Sequence, residues 1–199
     1  SQAHYLLEDN NSNFWISSNE GLFRIKKEML LNYSKNRTSN VSYYRYTKEY
    51  GFLTNEFNGG GYNPGNKLQD GQFVYPSLEG LVFFNPDSVK SYYPKKNAVF
   101  IDRGIKNNEN FDIEKKIELK SNYENVILNI DIPYYYNIDN IQLEAKLEND
   151  GNDVWEKIPL TRQYILKNNL SPGEYKLVVR YLISDDGEFS YKSIPITVV

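Results

Sequence analysis

The residues of this chain able to do acid–base, nucleophilic or metal chemistry are few and poorly grouped. There is one histidine, His4, and no cysteine. A Ser-His-Asp triad, a thiolate nucleophile and the usual zinc donor sets therefore lack members. A phosphoacceptor histidine would sit in a helical dimerisation segment; "SQAHYLLED" at 1–9 is not one, and His4 reads as an edge or surface side chain. Carboxylates come in pairs at Glu8 and Asp9, Asp150 and Asp153, and Asp185 and Asp186. Glycosidic hydrolysis needs two carboxyl groups facing each other across a cleft roughly 5 to 9 Å wide, which neighbours in one turn cannot do. Turn-forming roles are expected for all three pairs. "DNNSN" at 9–13 and "DDGE" at 185–188 lack the spacing and closing Glu of a calcium loop. "NGGGYNPGN" at 58–66 lacks the Lys-Ser/Thr and the strand-to-helix setting of a phosphate loop. No enzyme activity, metal or cofactor is expected.

The binding hint is aromatic. The chain holds 18 Tyr, some of them gathered at "SYYRY" (42–46), "SYYP" (91–94) and "PYYYN" (133–137). Exposed rings offer flat apolar faces to a sugar, but successive strand residues point to opposite faces, so each run gives one side half its rings and core packing takes the rest. Which residues bind a ligand is left unknown. The net charge of −3 gives no general reason to bind nucleic acid or an anionic membrane, and "RIKKE" (24–28) and "PKKN" (94–97) read as solvated faces. Asn-Xaa-Ser/Thr strings at Asn10, Asn36 and Asn40 would be modified only in a eukaryotic secretory protein. No apolar run approaches the roughly 18 residues of a membrane span, and the first ten residues lack the regions of a signal peptide.

The elements that position these residues are strands. At 40% hydrophobic and 25% charged residues the chain is an ordinary folded composition, and its aromatic and β-branched weighting favours an all-β fold. "FWIS-SNEG-LFRI" (14–25) and "FVYP-SLEG-LVFF" (73–84) are two copies of one hairpin. Each turn requires a residue at positive φ where the second strand begins, supplied by Gly21 and Gly80. Asp9 and Asp70 precede the hairpins and are suited to cap a turn through their side chains. Recurrence at roughly 60 residues marks a repeat architecture such as a β-propeller, and two units are too few to close one, leaving open edges.

From Ala98 onward the pattern changes to about seven strands suited to one sandwich. Val126, Leu128, Ile130 and Ile132 alternate with polar or outward residues, as do Ile141, Leu143, Ala145 and Leu147. Trp155 sits in "DVWEKI". "LSPGEYKLVVRY" (170–181), with Pro172, Gly173 and Tyr175, has the form of the tyrosine corner of immunoglobulin-like sandwiches. The Tyr175 hydroxyl is expected to bond back to upstream backbone.

Together "EDNNSNFWISSNEGLFRI", "TKEYGFLTNEFN", "DGQFVYPSLEGLVFFNPDSV" and the "W…Y…LSPGEYKLVVRY" half resemble the two-component-regulator propeller repeats and tyrosine-rich sandwich domain of Bacteroidetes hybrid sensor histidine kinases. Trp15, Gly21, Leu22, Asn55, Glu56, Phe57, Asn58, Asp70, Gly71, Gly80, Phe84 and Pro86 stand at the matching positions. The resemblance implies a partial propeller over 1–97 and an immunoglobulin-like sandwich over 98–199. It implies structural roles for Trp15, Gly21, Gly80, Trp155, Pro172, Gly173 and Tyr175. It further implies a periplasmic, noncatalytic sensor fragment, adjacent to but not inserted in the membrane, homodimeric through its parent, with an oligosaccharide as ligand of the complete propeller region. The alternative is a carbohydrate-binding or adhesion module of a polysaccharide-degrading protein.

Overall fold

The computed structural model describes residues 2–37, 41–151, 154–168 and 170–199; Asn40 and Asp153, singled out above, lie outside the described residues. The fold is all-β, and the chain divides into two compact units: Ser1–Tyr92 with Asp185–Gly187, and Tyr93–Ser184 with Glu188–Val199.

The first unit holds two antiparallel sheets. One has four strands, β1 (Ala3–Glu8), β2 (Asn13–Ser18), β3 (Gly21–Lys26) and β4 (Tyr44–Tyr46), in sequential order. The other has three, β5 (Asn66–Lys67), β6 (Phe73–Ser77) and β7 (Gly80–Phe84), also in order. The two repeated hairpins are β2–β3 and β6–β7. Ser18 pairs with Gly21 and Ser77 with Gly80, and in each the Ser hydroxyl donates to the Gly carbonyl at 2.9 Å. Gly21 has φ +134° and Gly80 φ +123°, a region that side chains with a Cβ rarely enter. The preceding turns are tied as the Asp residues allow: an Asp9 carboxylate oxygen accepts from the Asn11 amide at 2.9 Å, and an Asp70 oxygen from the Gln72 amide at 3.0 Å.

After β3 comes the nine-residue helix α1 (Lys27–Lys35), none of whose residues is buried. It begins inside the basic "RIKKE" string. Among the described residues no helix is long and apolar enough to cross a membrane.

The tyrosines of the first unit form its core. Trp15, Tyr44, Tyr46, Phe73 and Tyr75 are at most 2% exposed. Trp15 stacks on Tyr46 with centroids 5.3 Å apart and tilts against Phe84 at 4.9 Å. Tyr44 and Tyr46 lie 4.9 Å apart, and Tyr75 spans the two sheets by donating its hydroxyl to the Trp15 carbonyl at 2.8 Å. Such ring pairs add to area burial, which lets a small unit with few aliphatic side chains hold together.

The described residues of the second unit form a sandwich of nine strands, where about seven are read from the sequence. β8 (Phe100–Lys106), β9 (Glu109–Asp112), β11 (Ile127–Asp131) and β14 (Gln163–Ile165) form one sheet in the order 14-11-8-9. β10 (Ile117–Leu119), β12 (Leu143–Glu148), β13 (Glu156–Lys157), β15 (Gly173–Leu182) and β16 (Phe189–Val198) form the other in the order 10-16-15-12-13, with β10 parallel to β16. One core cluster joins the inward residues of both: Ile101, Leu128 and Ile130 from the first, Leu143, Leu177, Val179, Tyr181 and Ile196 from the second. The alternating positions are those the pattern picks out, since a strand buried on one face must place its apolar side chains two apart.

The tyrosine corner is present. The Tyr175 hydroxyl donates to the Ser171 carbonyl at 2.9 Å; Pro172 is exposed in the turn, and Gly173 opens β15 opposite Val198. Tyr175→Phe removes this one bond from a solvent-accessible site, and is expected to lower the unfolding free energy by about 0.5–1.5 kcal/mol in urea titrations at unchanged m-value.

Candidate functional site

The first unit contains a groove of about 680 Å³ that runs the length of β7. Its floor is aromatic: Trp15 and Tyr46, both buried, with Phe84 at one end. One wall is β7 itself, whose Leu81 and Phe83 are 61% and 54% exposed. The other is made by Tyr50–Leu53 and Ser88–Lys90. Glu79 and Lys90 are the charged lining residues. With a single carboxylate among the described lining residues, these offer no facing pair of the kind glycoside hydrolysis requires; their chemistry is apolar binding with polar ends.

Arg24 fastens the floor from β3. Its guanidinium lies 5.7 Å from the Trp15 ring centroid and 6.0 Å from that of Tyr46. It also pairs with the Asp185 carboxylate, and donates to the Ser91 hydroxyl and the Val89 carbonyl. Burial raises the Tyr46 hydroxyl to about 12, against the lowering effect of Arg24, so it stays protonated and bonded to Ser91 at 3.0 Å.

Asp9 holds the Trp15 indole from beneath. Its carboxylate accepts from Trp15 Nε1 at 2.8 Å, the Asn13 amide at 2.8 Å and Asn13 Nδ2 at 2.9 Å. Burial pushes this carboxyl up, but the hydrogen bonds from Trp15, Asn13 and Asn11 together outweigh it and hold the group below 3.8. Because the folded-state value is depressed, the carboxylate's contribution is complete above the unfolded value and is lost as pH falls through it toward the folded one. Wild-type protein is therefore expected to lose urea stability between pH 5 and pH 3 more steeply than Asp9→Asn, measured as midpoints in parallel titrations.

The other described carboxylates of the sequence pairs are also engaged. Glu8 pairs with Lys27 at 2.8 Å, Asp186 with Lys26 at 3.3 Å and Asp150 with Lys167 at 2.7 Å. None of the described pairs faces its neighbour across a cleft. His4 is half-buried in β1. Among the described residues no three His, Asp or Glu side chains converge as metal ligands.

The three aromatic runs have different fates. Tyr44 and Tyr46 are core and Tyr43 packs edge-on against Phe23, while Tyr92 lines the groove. In the second unit Tyr135 is 94% exposed and Tyr136 50%. Tyr62, 97% exposed, stands over a shallow depression formed by the glycine-rich loop 58–66. Trp155 lies outside the sandwich core and is half-buried. The Arg180 guanidinium is sandwiched between its ring at 4.1 Å and that of Phe189 at 4.6 Å, and pairs with Glu144 at 2.6 Å.

No protein-family model matches the chain. It is 27% identical to histidine kinase P4 of Formosa agariphila, over 92% of this chain and 13% of that protein. Among solved structures it is similar to an extracellular domain assigned to a hybrid two component system, BT3049 from B. thetaiotaomicron. That match has a TM-score of 0.63 at 20% identity, over all of this chain and 26% of the other. It is also similar to the corresponding domain of BT4673 from B. thetaiotaomicron, with a TM-score of 0.45 at 14% identity, over all of this chain and 25% of the other. The chain thus spans about an eighth of the curated relative and about a quarter of the structural neighbours.

Proposed function

We propose that this chain is a noncatalytic, extracytoplasmic sensor fragment of a hybrid two-component protein. It belongs on the periplasmic side of the inner membrane, in a homodimeric parent. The complete propeller region binds a glycan or oligosaccharide, and the sandwich hands the resulting change toward a transmembrane helix and kinase. The observation that carries the reading is the alignment of 92% of the chain with a histidine kinase of which it covers 13%. The shared fold with an extracellular domain of a hybrid two component system supports it. A ligand shifts such a protein only by its differential affinity for two arrangements, so the transmitting part needs rigidity more than a binding site.

Isothermal titration of the 199-residue chain with a panel of neutral and acidic oligosaccharides tests the reading. No saturable heat is expected from the chain alone. The exposed Tyr135 and Tyr136 favour a second reading, a carbohydrate-binding module. Saturable binding that disappears in Tyr135→Ala/Tyr136→Ala would establish that module and overturn the sensor fragment.

A further inference from the structure

The chain contains one Asn-Gly dipeptide, Asn58–Gly59, and one histidine, His4. The fold brings them together. Ala3 at the start of β1 pairs with Ser18, and the Ser18 carbonyl accepts from the Phe57 amide at 3.0 Å, so the segment after Phe57 passes beside His4. A Cβ on Gly59 would lie 2.4 Å from His4 Nδ1 and 2.5 Å from its Cγ. The imidazole fills the place of a side chain at Gly59.

Asn58 is held on both sides of its Cα. Its backbone amide donates to the Pro76 carbonyl at 2.9 Å, and its Nδ2 to the Ser77 carbonyl at 3.1 Å. Asn58 and Gly59 are both exposed, so water reaches them. A glycine after asparagine offers its amide nitrogen to the side-chain carbonyl without a Cβ in the way. An imidazole with its proton on Nε2 presents Nδ1 as the acceptor for the proton that this nitrogen must lose.

We propose that Asn58, Gly59 and His4 form a self-modifying site, at which Asn58 is converted to aspartate and isoaspartate with His4 as the base. The Gly59 nitrogen attacks Asn58 Cγ and gives its proton to His4 Nδ1. The new N–Cγ bond closes a succinimide; the Cγ–Nδ2 bond breaks, and the imidazolium returns the proton as ammonia leaves. Water then opens the ring at either carbonyl. No oxidant, metal or second protein takes part. Three Asp-Gly pairs, Asp70–Gly71, Asp150–Gly151 and Asp186–Gly187, share the following glycine. An ionised carboxylate is a poorer electrophile than a carboxamide, and these three are engaged by the Gln72 amide, Lys167 and Lys26. At Asn58 the product carboxylate has no N–H for the Ser77 carbonyl. Conversion therefore releases the glycine-rich loop from the β6–β7 hairpin and adds a negative charge there.

The 199-residue protein is incubated in neutral buffer made with heavy-oxygen water, and conversion at every asparagine is followed by peptide mass spectrometry. Asn58 is expected to convert fastest. His4→Gln, close in size, is expected to slow it by about tenfold or more, as loss of a positioned base does. In His4→Ala, added imidazole is expected to restore the rate in proportion to its concentration, which a merely structural histidine would not allow. His4 lies on the edge strand β1 and outside the buried core, so both variants keep their fold. In urea wild type and His4→Gln should convert at one rate, since unfolding parts His4 from Gly59. Equal rates for these two proteins when folded overturn the inference. So does a loss in His4→Ala that imidazole leaves unrepaired, or an Asn58 that stays intact while other asparagines convert.

Discussion

Replacing Trp15 with alanine is expected to lower the unfolding free energy by about 3–5 kcal/mol, the largest single-residue loss in the first unit. Trp15 is fully buried and serves as the joint of that unit. Its ring stacks on Tyr46 and tilts against Phe84. Its backbone carbonyl takes the Tyr75 hydroxyl from the second sheet, and its indole N–H satisfies Asp9. Truncation leaves a cavity that rings on rigid strands cannot collapse into, and strips a buried carboxylate of a donor. Trp15→Phe keeps most of the ring and loses the N–H, so its loss should be clearly smaller. Equal losses in urea titration would show that the indole hydrogen bond, and not packing, dominates.

The second large effect separates two glycines that look alike in sequence. Gly21→Ala is expected to cost about 2–4 kcal/mol, because strain at positive φ is joined by a clash with backbone. Gly80→Ala is expected to cost about 1–2 kcal/mol, from strain alone. The φ values are +134° and +123°, but only Gly21 has a strand carbonyl 2.5 Å from the would-be Cβ. Chemical denaturation of both variants gives the comparison. Equal losses would show that β4 yields to the added methyl.

These two glycines also show what a sequence discloses. The hairpins, the Asp-capped turns, the tyrosine corner and the alternating core of β11, β12 and β15 were legible because each follows from local rules of φ, hydrogen bonding or period. Helix α1 was not. "KEMLLNYSK" is too short to declare itself by propensity and buries none of its residues. The short strands β9, β10 and β13 have no run long enough to show alternation. Trp155 gave no sign that it would stack on Arg180 outside the core, because the partner lies 25 residues away on another strand. The groove was least legible of all. Leu81 and Phe83 carry the pattern of ordinary strand residues, and they are exposed because they lie on the face of β7 opposite Phe84, which packs on Trp15 and Tyr75.

The central claim is that the sandwich transmits and does not itself bind or catalyse. Within the second unit the Tyr181 hydroxyl accepts from the Ala98 amide at 2.7 Å and donates to the Lys95 carbonyl at 2.9 Å, tying the entering segment to β15. Oligosaccharide-stimulated autophosphorylation of the full-length parent in membrane vesicles, compared between wild type and Tyr181→Phe alongside ligand affinity, tests the claim most directly. The account predicts that the variant binds the oligosaccharide as wild type does and loses most of the phosphorylation response. A variant whose affinity falls while the response per bound ligand is unchanged would contradict it.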